Sequence, residues 1–431
     1  MSAASHSRSA APAESYWSLH SPPHGLRHAH VTVIGAGIVG LATAAALRRD
    51  GHEVTVIDAA AQVGRGTSFG NGCQLSYGYV TPLAQPSLLP ELPSLLLAKN
   101  APLKIVPRLE PAQWRWMAQF LLACRHSRAQ QSSLDLLALG SLSRRETDLW
   151  LRGCDREQLS FSQTGKLVLL PSALALAKAE AQLRFQAAHG PLQHSVSEED
   201  ALRIEPALAR FKGRIAGAIH TPSECAVDSH ALCLDMERQL RERGVEFKLG
   251  MRVTGFEKAG RRVTHLIADG QALAVDRLVL ATGPSTAAVG RMLGFSLPVY
   301  PLKGYSITAR IVDPDGVPSV SVTDGSRKVV YARIGNHLRV AGVAEIRGYD
   351  SSIQASRVAQ LVAHTREAFG AAVDLESVAQ WSGLRPATPT SVPIIGAAPL
   401  DNVFLNVGHG ALGLTLAFGS AAMLARNMHS R

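Results

Sequence analysis

A chain of 431 residues is roughly three times the ~150 residues of an average domain, so two domains or one large α/β body are expected and a small stapled scaffold is excluded. Apolar residues make up 46% and charged residues 18%, which supplies core material and excludes a disordered chain. The 44 Lys and Arg against 34 Asp and Glu give a net charge of +10, spread over short clusters such as Arg48-Arg49, Arg144-Arg145 and Arg261-Arg262; this reads as a basic surface that favours anionic partners, without a dedicated nucleic-acid stripe.

Residues 1–28 are rich in Ala, Ser, His and Pro and lack the apolar run of a secretory signal, so they are expected to be a mobile leader. The run His30 to Ile34 predicts a buried parallel strand, Leu41 to Arg49 a helix that stops at Gly51, and Glu53 to Ile57 a second strand ending at Asp58: a βαβ unit. A proline-rich stretch from Pro82 to Pro111 and helical segments through about Arg152 form an insertion. Short β runs at Gln163–Leu170, Leu297–Thr308, Lys328–Ile334 and His337–Val343, separated by Gly, Asn or Asp, predict a mostly antiparallel second sheet. Ala231–Arg243, Val245–Leu249 and Asp276–Leu280 return to the helix and strand pattern of the first sheet. Gly410 to Ala425 is too short and too broken by small residues to span a bilayer, and is expected to be a buried helix.

The predicted fold class is therefore α/β, a Rossmann-like nucleotide-binding domain with a parallel sheet plus a second, substrate domain of mostly antiparallel sheet and helices. The expected boundaries are 29–82, 215–292 and 379–431 for the first domain, and 83–214 and 293–378 for the second. Five cysteines, at 73, 124, 154, 225 and 233, form no C-x-x-C pair, which fits a reducing cytoplasm. The 16 histidines show no metal-ligand spacing, so no metal is expected.

The strongest local motif is GAGIVG, Gly35 to Gly40, between the first strand and its helix. Gly35 makes the turn, Gly37 lets the amides of Ile38 and Val39 approach a pyrophosphate, and Gly40 lets helix and strand pack closely. The helix N-terminus adds positive potential. Asp58, eighteen positions after Gly40, is placed to accept hydrogen bonds from the adenosine ribose, which disfavours a 2′-phosphate and hence NADP. NAD and FAD are not separated by this motif. Two further glycine turns, Ala281-Thr282-Gly283 and Gly408-His409-Gly410-Ala411-Leu412-Gly413-Leu414-Thr415, suggest additional approaches of backbone to the cofactor.

The runs TSFGNGCQLSYGY (67–79), VYPLKGYSIT (299–308), RVAGVAEIRGYD (339–350), WSGLRPATP (381–389) and NVGHGALGLT (406–415) together resemble the FAD-dependent D-amino-acid dehydrogenases of the small-subunit type, within the D-amino-acid oxidase superfamily. The resemblance extends from about residue 30 to the C-terminus. It implies noncovalently bound FAD, contacted also by Ser68, Asn71, Gln74 and Val253, with Gly408, His409, Gly410, Leu412, Gly413 and Thr415 at the pyrimidine edge of the flavin. It also implies oxidation of a free D-amino acid to the imino acid, hydrolysed to the 2-oxo acid and ammonia, with electrons passed to a quinone at the inner membrane face. The chain departs from the family pattern at Thr390-Ser391, at Cys73 and at Leu414, changes that bear on substrate preference; Cys73 is read as a small core-lining residue.

Such a reaction needs the substrate Cα–H aimed at the flavin, and a bidentate guanidinium is the natural clamp for the carboxylate. Arg385, at the end of a predicted strand and before Pro386, is the candidate, with Tyr305 as a second carboxylate contact and Tyr331 and Glu345 on the pocket wall. No general base is required once the α-amine is neutral, so His409 is read as loop structure. Ser87 to Val106 is read either as a lid or as a peripheral membrane contact. Alternatives kept open are a dehydrogenase or oxidase of D-hydroxyproline, sarcosine or another secondary amino acid, and a tRNA-modifying flavoprotein of similar fold; no nucleic-acid partner is expected, because no basic helix or aromatic-interleaved Lys/Arg stripe is present.

Overall fold

The computed structural model describes residues 16–17, 28–97 and 103–429. Strand β1, His30–Ile34, is followed by helix α1, Ile38–Arg49, and strand β2, Glu53–Asp58. β1 and β2 run parallel with Val33 opposite Val56, and on its other side β1 pairs in parallel with Arg277–Leu280. The full six-stranded order is Ile394–Ala397, Val403–Val407, Arg277–Leu280, β1, β2, Glu246–Leu249, and of these Ile394–Ala397 alone is antiparallel to its neighbour. α1 begins three residues ahead of the expected Leu41, its first turn bordering the cavity through Ile38 and Val39 while Gly40 meets the turn of Gly35. Its alanines at 44, 45 and 46 are wholly buried and let the C-terminal helix Gly413–His429 lie against it.

The second sheet has nine strands. Its path is Val373–Ala387, Tyr300–Ile311, His337–Ile346, Val329–Ile334, Ser321–Asp324, Lys166–Leu170, Gly217–Thr221, His194–Val196, with Leu103–Ile105 beside His337–Ile346. Pairing is antiparallel except between Ser321–Asp324 and Lys166–Leu170 and between Leu103–Ile105 and His337–Ile346. Two expected boundaries fall inside this sheet. Gly217–Thr221 is hydrogen-bonded to Lys166–Leu170, so the segment just after 215 sits with the second sheet, and Val373–Ala387 carries that sheet past residue 379. Sequence composition does not change at either point, whereas strand pairing does.

Most of the expected leader lies outside the described residues, but Tyr16 and Trp17 do not behave as a mobile segment. Tyr16 is 2% exposed, with its ring 5.1 Å from that of Trp150 and 6.2 Å from that of Phe418. The Arg49 guanidinium lies 4.5 Å over the Tyr16 ring and is itself paired with Glu146 at 2.7 Å, while Arg243 lies 4.1 Å over Trp17. Truncating a buried aromatic of this size leaves a cavity that costs about 3 kcal/mol. Tyr16→Ala is accordingly expected to lower the thermal unfolding temperature clearly, and a melting curve superimposable on that of the wild type would show that the contact contributes nothing.

Candidate functional site

Both sheets border one cavity of about 1000 Å³. At one end lies the turn after β1. A Cβ on Gly35 would overlap the carbonyl of Ala281, and one on Gly40 would overlap the carbonyl oxygen of Gly35, so these two glycines are required by the protein itself. Gly37 differs: a Cβ there meets nothing nearer than Ser68 Oγ at 3.4 Å. The space beside Gly37 is open for a ligand. The N-cap residue Gly37 has no side chain, Ser68 Oγ accepts from the Ile38 amide at 3.1 Å, and Gly37, Ile38 and Val39 line the cavity, so the positive end of α1 opens on it. The Asp58 carboxylate is fixed by the amides of Ala36 and Ala60, both at 2.7 Å, and keeps acceptor capacity towards the cavity.

Of the other residues expected to touch a cofactor, Ser68, Asn71, Gln74, Val253, Thr282, Gly283, Gly408, His409, Gly410, Leu412, Gly413 and Thr415 all line this cavity; Gly40 does not, its place being the helix–strand contact. Cys73 also borders it as a buried thiol whose pKa is raised by desolvation. His409 is buried, with Nε2 2.9 Å from Ser420 Oγ, and desolvation pushes it down to about 3, so the ring is neutral over the working pH range. Ser420 Oγ lies 3.0 Å from the carbonyl of Ala417 and donates to it, which leaves the Oγ to accept from His409 Nε2–H. This imidazole is therefore neutral near neutral pH, with its Nε2–H committed to Ser420.

The far end is built on the pairing of Tyr300–Ile311 with Val373–Ala387, which sets Arg385 opposite Leu302, Gly383 opposite Gly304, and Trp381 opposite Ser306. Alternate residues of a strand share a face, so Trp381 and Arg385 both turn towards the cavity, with Gly383 between them against the Trp381 ring. The absent side chains matter here: a Cβ on Gly304 would overlap the Arg385 guanidinium, and a Cβ on Gly70 would come within 2.5 Å of the Trp381 indole. Arg385 is enclosed by protein yet faces the cavity, and its guanidinium has no hydrogen-bond or ion-pair partner among the described residues. Burial lowers its pKa to about 10, which leaves it cationic at neutral pH.

The same alternation corrects three of the expected site residues. Tyr305 borders the cavity, but its hydroxyl donates to Glu345 Oε2 at 3.0 Å, so its proton is committed and it does not serve as the second carboxylate contact. Glu345 is not on the wall; it sits behind it, held by Arg357 at 2.9 Å and Arg347 at 3.3 Å. Tyr331 is wholly buried against Phe369, at a ring distance of 5.0 Å, because its neighbour Val330 takes the cavity face. Residues that sequence reasoning missed are Arg65, Lys166, Arg252, Lys328 and Trp381, all on the cavity wall. With Arg385 they make it cationic against two carboxylates, Asp58 and Glu91, as a pyrophosphate and an anionic substrate require. Lys166 had a signal, a charged residue opening the otherwise apolar run KLVLL.

Leu88 and Leu95 of the proline-rich segment face the cavity, whereas Leu89 and Leu96 are exposed at 41% and 43%. The segment is thus a cavity wall with an apolar outer side; its residues 98–102 lie outside the described residues. Among the described residues, no helix is long and apolar enough to cross a membrane, and no group of three or more His, Cys, Asp or Glu side chains is placed to hold a metal ion.

The model of a family described as FAD dependent oxidoreductase matches residues 30–427. A D-amino acid dehydrogenase 2 of Ralstonia nicotianae is 43% identical over 406 residues, covering 92% of this chain and 95% of the relative. A protein of the same name from Pseudomonas aeruginosa is 40% identical over 402 residues, covering 93% and 95%. Among solved structures, a glycine oxidase from Geobacillus kaustophilus superposes with a TM-score of 0.70 at 21% identity, covering 94% of this chain and 96% of that one, a likeness of fold.

Proposed function

The chain belongs to the FAD-dependent oxidoreductase family, and from that premise we propose that it oxidises a free D-amino acid to the 2-oxo acid and ammonia and hands the electrons to a quinone-type acceptor. The observation that carries the substrate class is Arg385, an enclosed cation with no partner of its own, in the cavity that also holds the dinucleotide loop.

FAD, when bound, accepts the hydride leaving the substrate Cα. The loop from Gly35 to Val39 and Asp58 would hold its pyrophosphate and ribose, and the turn from Gly408 to Thr415 its ring. The open space beside Gly37, the positive end of α1 and the cationic lining all fit such a group. Binding is read as noncovalent, since the thiol bordering the ring space, Cys73, is held protonated by burial. Arg385 engages the substrate carboxylate with two parallel N–H donors and thereby fixes the Cα–H direction. Gly304 leaves the room that the guanidinium occupies, and Gly383 the room that the Trp381 indole occupies beside it. The α-amine needs to be neutral when Cα–H breaks; His409 stays neutral and does not protonate it. An acceptor other than oxygen is supported by the dehydrogenase names of the relatives, and the basic surface, together with exposed Leu89, Leu96, Trp114 and Leu122, suits peripheral contact with an anionic bilayer that supplies the quinone.

The test is anaerobic flavin bleaching with a panel of D-amino acids, their L-enantiomers and secondary amines, followed by turnover with a quinone analogue carried in anionic vesicles. D-amino acids should bleach the flavin fastest, and electrons should reach the vesicle quinone far faster than oxygen. Preferential bleaching by sarcosine or hydroxyproline would move the substrate class. Peroxide released in air at the full rate of substrate turnover would sink the acceptor assignment.

A further inference from the structure

Lys166 opens the strand Lys166–Leu170, is 2% exposed, and lines the cavity. Its Nζ donates to Ser76 Oγ at 2.9 Å and stands 4.5 Å from the centre of the Tyr79 ring. No carboxylate among the described residues lies within ion-pair distance of it. The carboxylate that its charge feels, Glu224, is turned to the amides of Tyr77 and Gly78 at 2.8 and 2.7 Å. An ammonium so enclosed, with one hydrogen bond for three donors, is costly unless something else in the cavity meets it.

The surroundings say where that would be. Ser76 N–H donates to Thr415 Oγ1 at 3.3 Å, and Thr415 stands in the first turn of the helix Gly413–His429, whose positive end opens on the same cavity. Lys166 is therefore wired through Ser76 to the helix end beside the turn from Gly408 to Thr415. A buried ammonium and a helix N-terminus converge on one place; Glu224 acts on the ammonium from a distance, and no carboxylate among the described residues pairs with it directly.

We propose that Lys166 is a positioning residue for charge: together with the N-terminus of the last helix it stabilises the negative charge that reduction adds to the bound cofactor, and so sets the electron affinity of the enzyme. The inference rests on the FAD reading above. In the step concerned the Cα–H bond breaks, its electron pair and hydrogen go to the cofactor, the amine lone pair forms the C=N bond, and the cofactor is left one unit more negative; Lys166 balances that unit without giving up a proton. Electrostatic tuning of this kind is what a protein contributes to a redox cofactor.

The test uses the flavin-loaded full chain without substrate and inorganic sulfite as the probe, because sulfite adds to a flavin ring as an anion and loads it with the same negative charge. Lys166→Met should weaken sulfite binding at least tenfold and lower the midpoint potential by about 30 mV or more, the two-electron equivalent of tenfold. Lys166→Arg should stay near the wild type. The double variant Lys166→Met/Glu224→Gln removes both buried charges together, so the measurement does not depend on a variant that strands Glu224; it should show the same loss. A flavin-loaded Lys166→Met or double variant that binds sulfite within twofold of the wild type overturns the proposal. A wild-type chain that takes up no FAD fails earlier and removes the parent reading, so the two failures are distinct.

Discussion

Arg385→Leu is expected to lower kcat/KM for the best D-amino acid by roughly 10² to 10⁴ while the flavin stays bound. The variant loses two charge-assisted hydrogen bonds, each worth about 1.5 to 3 kcal/mol, and each 1.36 kcal/mol is about a factor of ten in rate. The residue has no structural partner to abandon, so the fold should not respond. Lysine should rescue poorly, since it offers one point charge where the carboxylate meets a fork. Gly304→Ala is a second route to the same loss, because its methyl group would push the guanidinium aside. Steady-state kinetics with the flavin absorbance recorded on the same samples decides the matter. Near-normal turnover in a fully loaded Arg385→Leu enzyme would place the clamp elsewhere in the cavity.

The second large effect concerns the dinucleotide loop. Gly37→Val should yield a folded but colourless chain, with FAD affinity reduced by two orders of magnitude or more, about 2.8 kcal/mol or greater at 1.4 kcal/mol per decade. The structure explains why the protein itself should survive: a Cβ at residue 37 meets only Ser68 Oγ at 3.4 Å, an ordinary contact, while its far side is ligand space. Gly40→Ala should behave differently, failing to fold, since its methyl group would overlap the Gly35 carbonyl oxygen. The circular dichroism and flavin absorbance of the two variants separate these outcomes. A yellow Gly37→Val protein would mean that the pyrophosphate is held away from this turn.

The same contrast shows which properties of this chain are local. The strand, glycine turn, helix and second strand from His30 to Asp58 were legible because each depends on near neighbours: period-two and helical apolar spacing, the φ of +115° that Gly35 adopts, and an acidic residue at a strand end. Arg385 was legible for a related reason, as a lone guanidinium between an apolar strand end and a proline. The cofactor-side residues from Ser68 to Gln74 and from Gly408 to Thr415 came from whole runs that resemble a family, and no single residue among them would have been assigned alone.

What the sequence by itself determined, then, is the glycine-turn βαβ unit, the α/β class and Arg385 as a cation of the cavity wall. The tertiary structure decided the rest. Tyr305 borders the cavity and Tyr331 follows a cavity residue in the chain, yet strand pairing turns the first hydroxyl to Glu345 and the second ring to Phe369. Lys166 becomes a cavity residue because Lys166–Leu170 pairs with Ser321–Asp324 and Gly217–Thr221, which sets its ammonium against Ser76, ninety residues earlier in the chain. Tyr16 is a core residue because α1, Trp150 and Phe418 leave a gap of its shape. Each of these depends on which distant segment lies opposite, and a one-residue change of register sends a side chain to the other face. Periodicity records that a residue is buried; the partner that meets it is specified by pairing across the fold.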